Sequence, residues 1–535
     1  MQLISAIGLL MFLGIAWLLS NNKSRIRPRI IFWGIGLQLL FAVIILSKGT
    51  LSLAGMFVLL CMIVLYLFAE EMVASRSFSQ RLKFAGILIS GTFVIAGGAV
   101  YSAASGVTTV LLWVSIFAGA LLAYFKKNLW QRRAVALFLS LGFGMLVARD
   151  IHGQIIMQAF SANVDAFLKL TDFGSRFIFG NLADPQHFGQ FGFQFAFSVL
   201  PTIIFFAAFI SILYYLGVVQ VIVETLSKFM RWTMGTSGAE TLSCTSNVFV
   251  GQTEAPLLIK PFLNDMTISE LATVMVGGFA TIAGGVLAGY IRVGVDPGHL
   301  IAASVMSAPA ALVIGKIIFP EVDQSKTAGD VTIPTVQRPG NILEAASNGI
   351  TDGLKLAVNV GAMLLAFIAL IALVDVILNF IDTWIDGRLL GGAWYDTKPT
   401  AFSPVTGEYS GLFPGSLKTL FGSVLRYVAF MMGTPWQDSA AVGNLLGLKL
   451  TINEFVAYGT LGQYIAEGAL SERAQIIATY ALCGFANFAS IGIQLGGIGA
   501  IAPERKKDLA AVAFKAMLGG AIASWMTATI AGMFL

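Results

Sequence analysis

An apolar run of this chain is interrupted by polar groups over residues 247–259, Asn-Val-Phe-Val-Gly-Gln-Thr-Glu-Ala-Pro-Leu-Leu-Ile. The run places an ionisable side chain, Glu254, among amide and hydroxyl groups. A charge at the centre of a bilayer is unfavourable by about 2.5–3.5 kcal/mol on insertion scales, so an intramembrane carboxylate generally lines a pathway or a site. Gly251 and Pro256 flank the glutamate and favour a helix that breaks there and exposes its backbone. The pattern restricts the chain to a helical membrane fold that contains interrupted helices.

The composition agrees with a membrane location. Hydrophobic residues make up 57% of the chain and charged residues only 11%, with a mean hydropathy of +0.82. These values lie far outside the range of soluble globular proteins and indicate an integral membrane protein. The net charge of +5 does not indicate a nucleic-acid partner, because the basic residues lie in short loops between apolar segments. That distribution is the positive-inside pattern.

The cysteines and histidines give no sign of a cofactor or a metal-dependent enzyme. Cys61, Cys244 and Cys483 fall in apolar segments without a paired spacing, so neither a disulfide framework nor a metal site is indicated. The three histidines flank apolar segments and form no zinc-binding pattern. We therefore expect no cofactor.

Apolar segments of about 17–25 residues match a hydrocarbon core of about 30 Å. The predicted spans are residues 3–19, 30–46, 51–68, 84–101, 107–124, 134–147, 191–216, 271–291, 300–319, 356–378, 474–493 and 509–535. The first lacks a basic leader and a cleavage site, so we expect it to be retained. With these spans, all five basic clusters fall on the same side of the membrane, which predicts that this side is cytoplasmic and that both termini are external. The clusters are residues 21–29, 76–83, 126–133, 228–231 and 505–507.

Two further apolar segments, residues 241–262 and 440–461, are broken in the middle. Half of such a segment is about 11 residues, or about 16 Å of helix, which reaches only the bilayer midplane. We therefore predict two re-entrant helical hairpins. Each is followed by an interrupted apolar segment, residues 271–291 and 474–493, so the same pattern occurs twice.

Three predicted full spans separate the two hairpins, and this odd number makes the second hairpin enter from the opposite face. The predicted fold class is an all-α polytopic membrane protein with inverted repeats, each containing a re-entrant hairpin and an interrupted transmembrane helix. In such folds the substrate site lies near the midplane, where the breaks meet. The pattern indicates a transporter.

The predicted organisation has five parts. They are the first two core spans (1–50), a peripheral four-span insert (51–150), an external amphipathic segment followed by a span and a cytoplasmic interfacial helix (151–236), the first transport repeat (237–380) and the second transport repeat (381–535).

The breaks supply chemistry for a cation. A broken helix offers unpaired N–H groups at one end and free carbonyls at the other. Carbonyls combined with an amide or hydroxyl oxygen make a hard oxygen site for a small alkali cation. Asn247, the carbonyl of Val250, the hydroxyl of Thr281 and the carbonyl of Ile282 are the candidates.

The breaks also supply groups for a neutral, donor-rich solute. Glu254 and Glu454 can accept hydrogen bonds from such a solute, and Phe485 offers an apolar face on which a ring can pack. Further donors and acceptors come from Gln252, Thr253, Asn487 and Ser490. We predict a site for a polar, uncharged solute that contains a ring.

Three motifs carry a resemblance to a known family. They are Gly-Gln-Thr-Glu-Ala-Pro-Leu-Leu-Ile at residues 251–259, Asn-Glu-Phe-Val-Ala-Tyr at 453–458 and Cys-Gly-Phe-Ala-Asn-Phe-Ala-Ser-Ile-Gly at 483–492. In this order they resemble the concentrative nucleoside transporters. The similarity runs from about residue 191 to the C-terminus, and residues 3–46 are similar to the first two core spans. The segment from about residue 51 to 147 departs from the family pattern, and trimer packing and a lipid-facing collar are both open as its role.

The resemblance implies a homotrimeric, sodium-coupled nucleoside symporter that moves a substrate-bearing domain across the bilayer in an elevator-like manner. It implies that Gln252, Thr253 and Glu254 face the nucleobase. It further implies that the ribose hydroxyls bind the side chains of Glu454, Asn487 and Ser490, with Val286 and Phe485 beside the rings. Asn247, Val250, Thr281 and Ile282 match the family's sodium site. We expect a multi-pass protein of the plasma membrane, such as a bacterial inner membrane.

Other interpretations remain open from the sequence. Glu254 and Glu454 could instead make structural interhelical hydrogen bonds, and Asn247 and Thr281 could serve helix packing. Proton coupling is the rival to sodium coupling. A channel is a further alternative, but interrupted hairpins of opposite orientation favour alternating access. A membrane-embedded transferase would need a nucleophile–base pair or a metal cluster, and neither is evident.

Overall fold

The computed structural model describes residues 1–73, 78–103, 129–187, 194–327, 339–391 and 413–535. Within these residues all regular secondary structure is helical and no strand occurs. The predicted all-α fold class is therefore confirmed.

Nine helices in the described part of the chain are long and apolar enough to cross a membrane. They are Pro28–Leu46, Gly49–Leu67, Ser79–Val100, Leu129–Ala148, Phe195–Tyr215, Ile268–Arg292, Pro297–Ile318, Ile342–Leu389 and Pro503–Phe534. Gln2–Leu18 and Phe488–Ile501 are apolar but shorter. The predicted span at residues 107–124 lies outside the described residues.

One helix is much longer than its predicted span of residues 356–378. It runs over Ile342–Asp382, 41 residues, and begins where the side chain of Asn341 accepts a hydrogen bond from the Glu344 amide. The added turns carry small residues: Gly349 approaches Ala208, and Gly353 approaches Ile204. Small residues four apart let two helices pack closely, so the helix is extended by its contact with Leu200–Tyr215.

The described chain divides into two compact units, residues 1–38 with 161–535 and residues 39–160. In the larger unit, helix Lys506–Phe534 is the central element. It packs against Gln2–Leu18, Ile268–Ala280, Pro297–Ile318 and Glu472–Leu482. A run of small residues along this helix is buried, including Gly519, Gly520, Ala521 and Ala523. The helices that carry the breaks are therefore assembled around a single buried helix.

Arg473 ties two parts of this unit together. Its guanidinium donates to the carbonyl oxygens of Gly433 at 2.7 Å, Gly532 at 2.5 Å and Leu535 at 2.6 Å. A planar guanidinium has several donors in a fixed geometry, which suits it to bind several carbonyl groups at once. Arg473 thus fastens the C-terminal end of the central helix to the turn before the second hairpin.

The smaller unit contains helices Gly49–Leu67, Ala69–Val73, Phe78–Ala103 and Leu129–Ala148. Its buried cluster consists of Leu60, Val64, Leu67, Phe68 and Val135. Arg132 pairs with Glu70 at 2.6 Å and with Glu71 at 3.1 Å. The predicted insert, residues 51–150, falls within this unit, and its peripheral role remains a prediction.

The segment predicted as external and amphipathic is helical over Gly153–Leu168 and Thr171–Phe179. Phe173 and Phe177 of the second helix are exposed, whereas its Asp172 forms an ion pair with Arg292. The predicted interfacial helix is Val218–Met234, which buries one face that includes Val223, Met230 and Met234. The side of the membrane on which these helices lie remains a prediction.

Candidate functional site

The first hairpin consists of helix Gly238–Ser246 and the 3₁₀-helical segment Ala255–Phe262. Ser237 caps the helix by accepting a hydrogen bond from the Glu240 amide, and the Glu240 side chain accepts one from the Ser237 amide. The helix therefore starts at residue 238 rather than at the predicted 241. The helix ends at Ser246, with Asn247 as its C-cap, and Pro256 and Pro261 limit the second segment to a tighter, shorter helix. The polar turn between them, residues 247–254, is the predicted break.

The second hairpin consists of helices Trp436–Thr451 and Glu454–Ala466. It is longer than the predicted residues 440–461. Its break is short because Asn453 starts the second helix at once: the Asn453 side chain accepts a hydrogen bond from the Val456 amide at 2.9 Å. Glu454 is therefore the first residue of a helix, where the unpaired amides and the helix dipole favour a carboxylate.

Both predicted interrupted spans are broken. The first broken span is Ile268–Ala280 and Gly284–Arg292, joined by three residues of extended backbone at Thr281, Ile282 and Ala283. The second broken span is Glu472–Leu482 and Phe488–Ile501. Asn487 caps its second half by accepting from the Ser490 amide at 2.8 Å.

The two breaks lie against each other. Gly484 has a φ of +124°, and a Cβ built on it would lie 2.5 Å from the carbonyl oxygen of Phe279 and 2.7 Å from the carbonyl carbon of Ala280. Only glycine allows both this backbone conformation and this approach. The sequence places these two breaks about 200 residues apart, and the fold brings them together.

A cavity of about 270 Å³ lies at this crossing. All eight residues predicted for the solute site line it: Gln252, Thr253, Glu254, Val286, Glu454, Phe485, Asn487 and Ser490. The remaining lining residues are Gly251, Ala283, Leu356, Asn359, Val360, Met363, Leu364, Asn453, Phe455, Ala489 and Ile493. The structure thus brings the predicted residues together, while their roles in binding remain predictions.

Glu454 is held from two sides. Its Oε1 accepts from the Tyr290 hydroxyl at 3.1 Å, and its Oε2 accepts from Nδ2 of Asn487 at 3.2 Å. The Tyr290 ring stacks on Tyr458, with centroids 4.4 Å apart. Each carboxylate oxygen has a further lone pair, so the fixed carboxylate can still accept hydrogen bonds from a diol in the cavity.

The opposite polar group is Gln252. Its Nε2 donates to Oγ of Ser490 at 3.3 Å, and its Oε1 accepts from Nε2 of Gln494 at 3.0 Å. The Glu254 carboxylate folds back over Gly251. An amide and a carboxylate side by side offer both donors and acceptors, which is the requirement for binding the edge of a heterocyclic base.

Apolar side chains close the rest of the cavity. Val286 and Phe485 lie on the broken spans, and the long helix Ile342–Asp382 adds Leu356, Val360 and Met363 from one face. The apolar wall and the few convergent polar groups are typical of a small-molecule site.

The four residues predicted for a cation site lie where the first hairpin meets the first broken span. The Gly284 amide donates to the carbonyl oxygen of Phe249 at 3.3 Å, which joins the two elements. Asn247 is 1% exposed, and its Oδ1 has no hydrogen-bond donor among the described residues. Thr281 and Ile282 are likewise buried. A buried amide oxygen without a donor fits a cation ligand, because such groups otherwise find a partner.

No group of three or more His, Cys, Asp or Glu side chains in the described chain could hold a metal ion. The four candidate cation ligands, Asn247, Val250, Thr281 and Ile282, offer neutral amide, hydroxyl and carbonyl oxygens, which suit an alkali cation better than zinc.

Sequence reasoning missed four polar residues that line the cavity or bond to its lining: Tyr290, Asn359, Asn453 and Gln494. Tyr290 is hydrogen-bonded to Glu454, which lies 164 residues away in the chain. Gln494 is hydrogen-bonded to Gln252, which lies 242 residues away. Each pair joins a broken span to the hairpin of the other repeat, so tertiary structure is needed to find it. Asn359 could have been recognised as a candidate site residue from the sequence, because it is a polar residue within a strongly apolar span.

Three family descriptions match successive parts of the chain. Na+ dependent nucleoside transporter N-terminus matches residues 7–52, Nucleoside recognition matches residues 196–296, and Na+ dependent nucleoside transporter C-terminus matches residues 299–532. Together they cover both hairpins and both broken spans, and they leave out residues 53–195.

Related proteins agree with these matches. An uncharacterized transporter of Haemophilus influenzae is 40% identical over 427 residues, which cover 79% of this chain and 96% of that protein. Sodium/nucleoside cotransporter 1 of Rattus norvegicus is 41% identical over 434 residues, which cover 78% of this chain and 62% of the rat protein. The chain thus spans less than two thirds of the length of that mammalian relative.

Solved structures show the same fold. CNTnw in an inward-facing substrate-bound state superposes with a TM-score of 0.71 and 29% identity, covering 100% of this chain and 98% of that one. A variant of CNTnw in an outward-facing state also gives a TM-score of 0.71, with 28% identity and coverage of 100% and 97%.

Proposed function

Because the chain belongs to the Na+ dependent nucleoside transporter family, we propose that it imports nucleosides together with sodium ions, driven by the sodium gradient. The membership confirms the resemblance seen in the sequence. The family is one of transporters, so transport is favoured over the membrane-embedded transferase that the sequence had left open.

One observation supports the substrate most directly: all eight predicted residues line a single cavity of about 270 Å³ that carries both polar and apolar side chains. We place the ribose at Glu454, Asn487 and Ser490, because a fixed carboxylate can accept from both hydroxyls of a cis-diol. The nucleobase then lies toward Gln252, Thr253 and Glu254, with Val286 and Phe485 beside its ring.

Sodium is the proposed coupling ion, bound by Asn247, Thr281 and the carbonyl oxygens of Val250 and Ile282. The donor-free Oδ1 of Asn247 supports this assignment. The four proposed ligands at this junction are neutral oxygens, which favours an alkali cation over a proton there.

The two-sided lining of the cavity supports an elevator-like motion. One wall consists of the hairpins and broken spans, and the other is the long helix Ile342–Asp382. We propose that the hairpins and broken spans move together past the helix Ile342–Asp382 and carry the solute with them. The two hairpins are re-entrant and opposite in orientation. Cysteines placed at Thr253 and Val360 would join the walls when cross-linked, and uptake should then stop. Undiminished uptake after cross-linking would contradict this motion.

A homotrimer in the plasma membrane, such as a bacterial inner membrane, completes the proposal. Its support is the family membership. The mass of the purified protein in detergent tests the trimeric state, and a monomeric mass would contradict it. Membrane fractionation of the native host tests the location.

The decisive experiment for the function is uptake of labelled uridine into proteoliposomes under an imposed sodium gradient, with an imposed pH gradient as the control. Uptake should follow sodium and be reduced by unlabelled purine and pyrimidine nucleosides to differing extents. Uptake that follows the pH gradient and ignores sodium would refute sodium coupling, and no uridine uptake under either gradient would refute the substrate.

A further inference from the structure

The long helix that lines the cavity carries a charged residue at the depth of the bilayer. A Cβ built on Gly353 of this helix would lie 2.9 Å from the Cα of Ile204. Ile204 is next to the middle residue of Phe195–Tyr215, which is long and apolar enough to cross a membrane. Asp352 precedes Gly353 in the chain and therefore lies near the middle of the bilayer.

This charge and that of Lys355, three residues further along the helix, are exposed. The side chain of Asp352 is 77% exposed and that of Lys355 is 72% exposed. Their Oδ1 and Nζ atoms are 3.9 Å apart, and an exposed pair of this kind adds little stability. A charge in the middle of a bilayer faces the protein interior or a water-filled cavity rather than lipid. Since neither side chain is buried, this side of the helix faces water.

The exposed residues of the helix separate into a polar side and an apolar side. With 3.6 residues per turn, Asn348, Asp352 and Asn359 lie within about 40° of one another around the helix axis. All three are exposed, and we call them the polar track. Ile350 and Leu354 lie at least about 120° from the track and are also exposed. The apolar side suits lipid tails, so the polar track has a separate, aqueous environment.

The polar track begins at the cavity. Asn359 lines the cavity together with Leu356 and Met363 of the same helix face. Asp352 lies seven residues before Asn359, or about 10 Å along the helix axis. Its carboxylate interacts electrostatically with Glu254, another lining residue. The track thus continues from the cavity along the long helix.

The track runs toward the start of the long helix. There, Oγ of Ser211 donates to the carbonyl oxygen of Ala345 at 2.7 Å, so the helix starts beside the end of Leu200–Tyr215. After this span the chain reaches the basic cluster at residues 228–231, which the positive-inside pattern predicts to be cytoplasmic. The track therefore leads from the cavity toward the predicted cytoplasmic face.

We propose that the polar track lines a water-filled lane between the cavity and the cytoplasm, and that Asn359 hydrogen bonds the nucleoside only while the cavity faces this lane. The Asn359 amide offers a donor and an acceptor, so it can bind a hydroxyl group or a base edge.

Asn359 lies on the helix past which the hairpins and broken spans carry the solute, so its contact is lost when the cavity faces outward. A contact made in one state alone favours that state. Asn359 thus biases the loaded protein toward the cytoplasm-facing state. This inference rests on the proposed function for the solute and for the motion.

The lane is tested with single cysteines in the full chain, in inside-out membrane vesicles treated with a charged methanethiosulfonate reagent. The three native cysteines are buried, so the wild type gives the background. A thiol in hydrocarbon is not ionised, so Ile350→Cys and Leu354→Cys should react at least about tenfold more slowly than cysteines at the three track positions. The track variants are Asn348→Cys, Asp352→Cys and Asn359→Cys. Equal rates on the two sides of the helix would overturn the lane.

Asn359→Leu tests the state-selective contact. Uridine transport is measured from each face of the membrane, with sodium at equal concentrations on both sides. The ratio of the cytoplasmic KM to the external KM should rise about three- to tenfold, because one hydrogen bond is lost in one state alone. Leu354→Ala, on the apolar side of the helix, is the control and should leave the ratio unchanged. An unchanged ratio in Asn359→Leu would overturn the role of Asn359.

A second readout applies if Asn359→Leu does not reach the membrane. Saturating uridine on the cytoplasmic side should slow the labelling of Asn359→Cys more than that of Asn348→Cys, which lies further from the cavity. Equal labelling with and without uridine would overturn the contact.

Failure of the proposed function can be distinguished from failure of the lane. A wild type that moves no uridine would count against the substrate and against the role of Asn359, while the labelling pattern would still decide the lane. If uridine is transported and the track cysteines react no faster than Ile350→Cys and Leu354→Cys, the lane fails and the proposed function stands.

Discussion

The side-chain amide of Gln494 donates from Nε2 to Oε1 of Gln252 over 3.0 Å. The same Nε2 also donates to the carbonyl oxygen of Met275, at 3.2 Å, and a carbonyl can only accept. The Met275 carbonyl therefore fixes the orientation of the Gln494 amide, which in turn fixes that of Gln252. As a result Gln252 presents its NH2 group, rather than its oxygen, toward Ser490 and the cavity.

The first prediction concerns this orientation. Gln494→Leu should weaken uridine binding by about two- to tenfold, since one neutral hydrogen bond that positions the base-binding amide is lost. Calorimetry with uridine measures the loss. A base analogue without a hydrogen-bond acceptor at the recognised edge should bind the variant and the wild type alike. An equal loss for both ligands would mean that Gln494 supports the fold rather than the orientation of Gln252.

The second prediction concerns the ribose. Glu454→Gln should weaken uridine binding by about ten- to a hundredfold, because hydrogen bonds to a charged acceptor are worth about 1.5–3 kcal/mol. Tyr290→Phe is the matched control, since it removes one partner of the carboxylate and leaves the carboxylate itself. Its effect should be smaller. A 2′,3′-dideoxynucleoside should bind poorly to the wild type and should lose little more in Glu454→Gln. Unchanged uridine affinity in Glu454→Gln would contradict the proposal that Glu454 binds the ribose.

The third prediction concerns sodium. Asn247→Ala should raise the sodium concentration for half-maximal uridine uptake by about tenfold or more, since a ligand of the charged ion is lost. Thr245→Val is the control, because it removes a buried hydroxyl of the same helix that is bonded to the Thr241 carbonyl. Its sodium dependence should match the wild type. If both variants shift equally, the effect belongs to helix packing and not to an ion site.

The fourth prediction concerns the crossing of the two breaks. Gly484→Ala should destabilise the protein by about 1–3 kcal/mol from backbone strain alone, and the added Cβ would also push the breaks apart. Gly492→Ala is the control, because a Cβ there meets nothing within 4 Å. Thermal unfolding and uridine binding should both be impaired in the first variant and preserved in the second. A fully stable Gly484→Ala would show that the breaks need not touch.

The sequence predicts much of this site for a physical reason. Polar groups in an apolar run mark the breaks, and a break is the part of a membrane helix that has backbone groups to offer. Glu254, Glu454 and Asn487 were recognisable in this way, and the resemblance to the family added Val286, which lies outside the three motifs. The predicted start of the first hairpin missed a signal, because Ser237 and Glu240 have the spacing of a capping box.

Other parts of the site depend on tertiary structure. Lys449 is one basic residue near the end of the first helix of the second hairpin. Its hydrogen-bond partners, the carbonyl oxygens of Ala481 and Cys483, lie more than thirty residues away in the chain. The first turns of Ile342–Asp382 contain the polar residues Glu344, Asn348 and Asp352. Hydropathy alone therefore places the N-terminal boundary of the span near residue 356. Close packing of Gly349 and Gly353 on a neighbouring helix, rather than apolar composition, extends it.

The central position of helix Lys506–Phe534 has a consequence for biosynthesis. This helix packs against Gln2–Leu18, against Ile268–Ala280 and against Glu472–Leu482, so both broken spans meet it. While the ribosome is still translating residues 506–534, the first and second breaks lack the surface on which they are assembled. In the membrane-inserted intermediate, Glu254, Glu454 and Lys449 therefore lack part of their native packing until that helix has been synthesised. Nascent chains shortened before residue 506 should consequently be preferred substrates for membrane proteases.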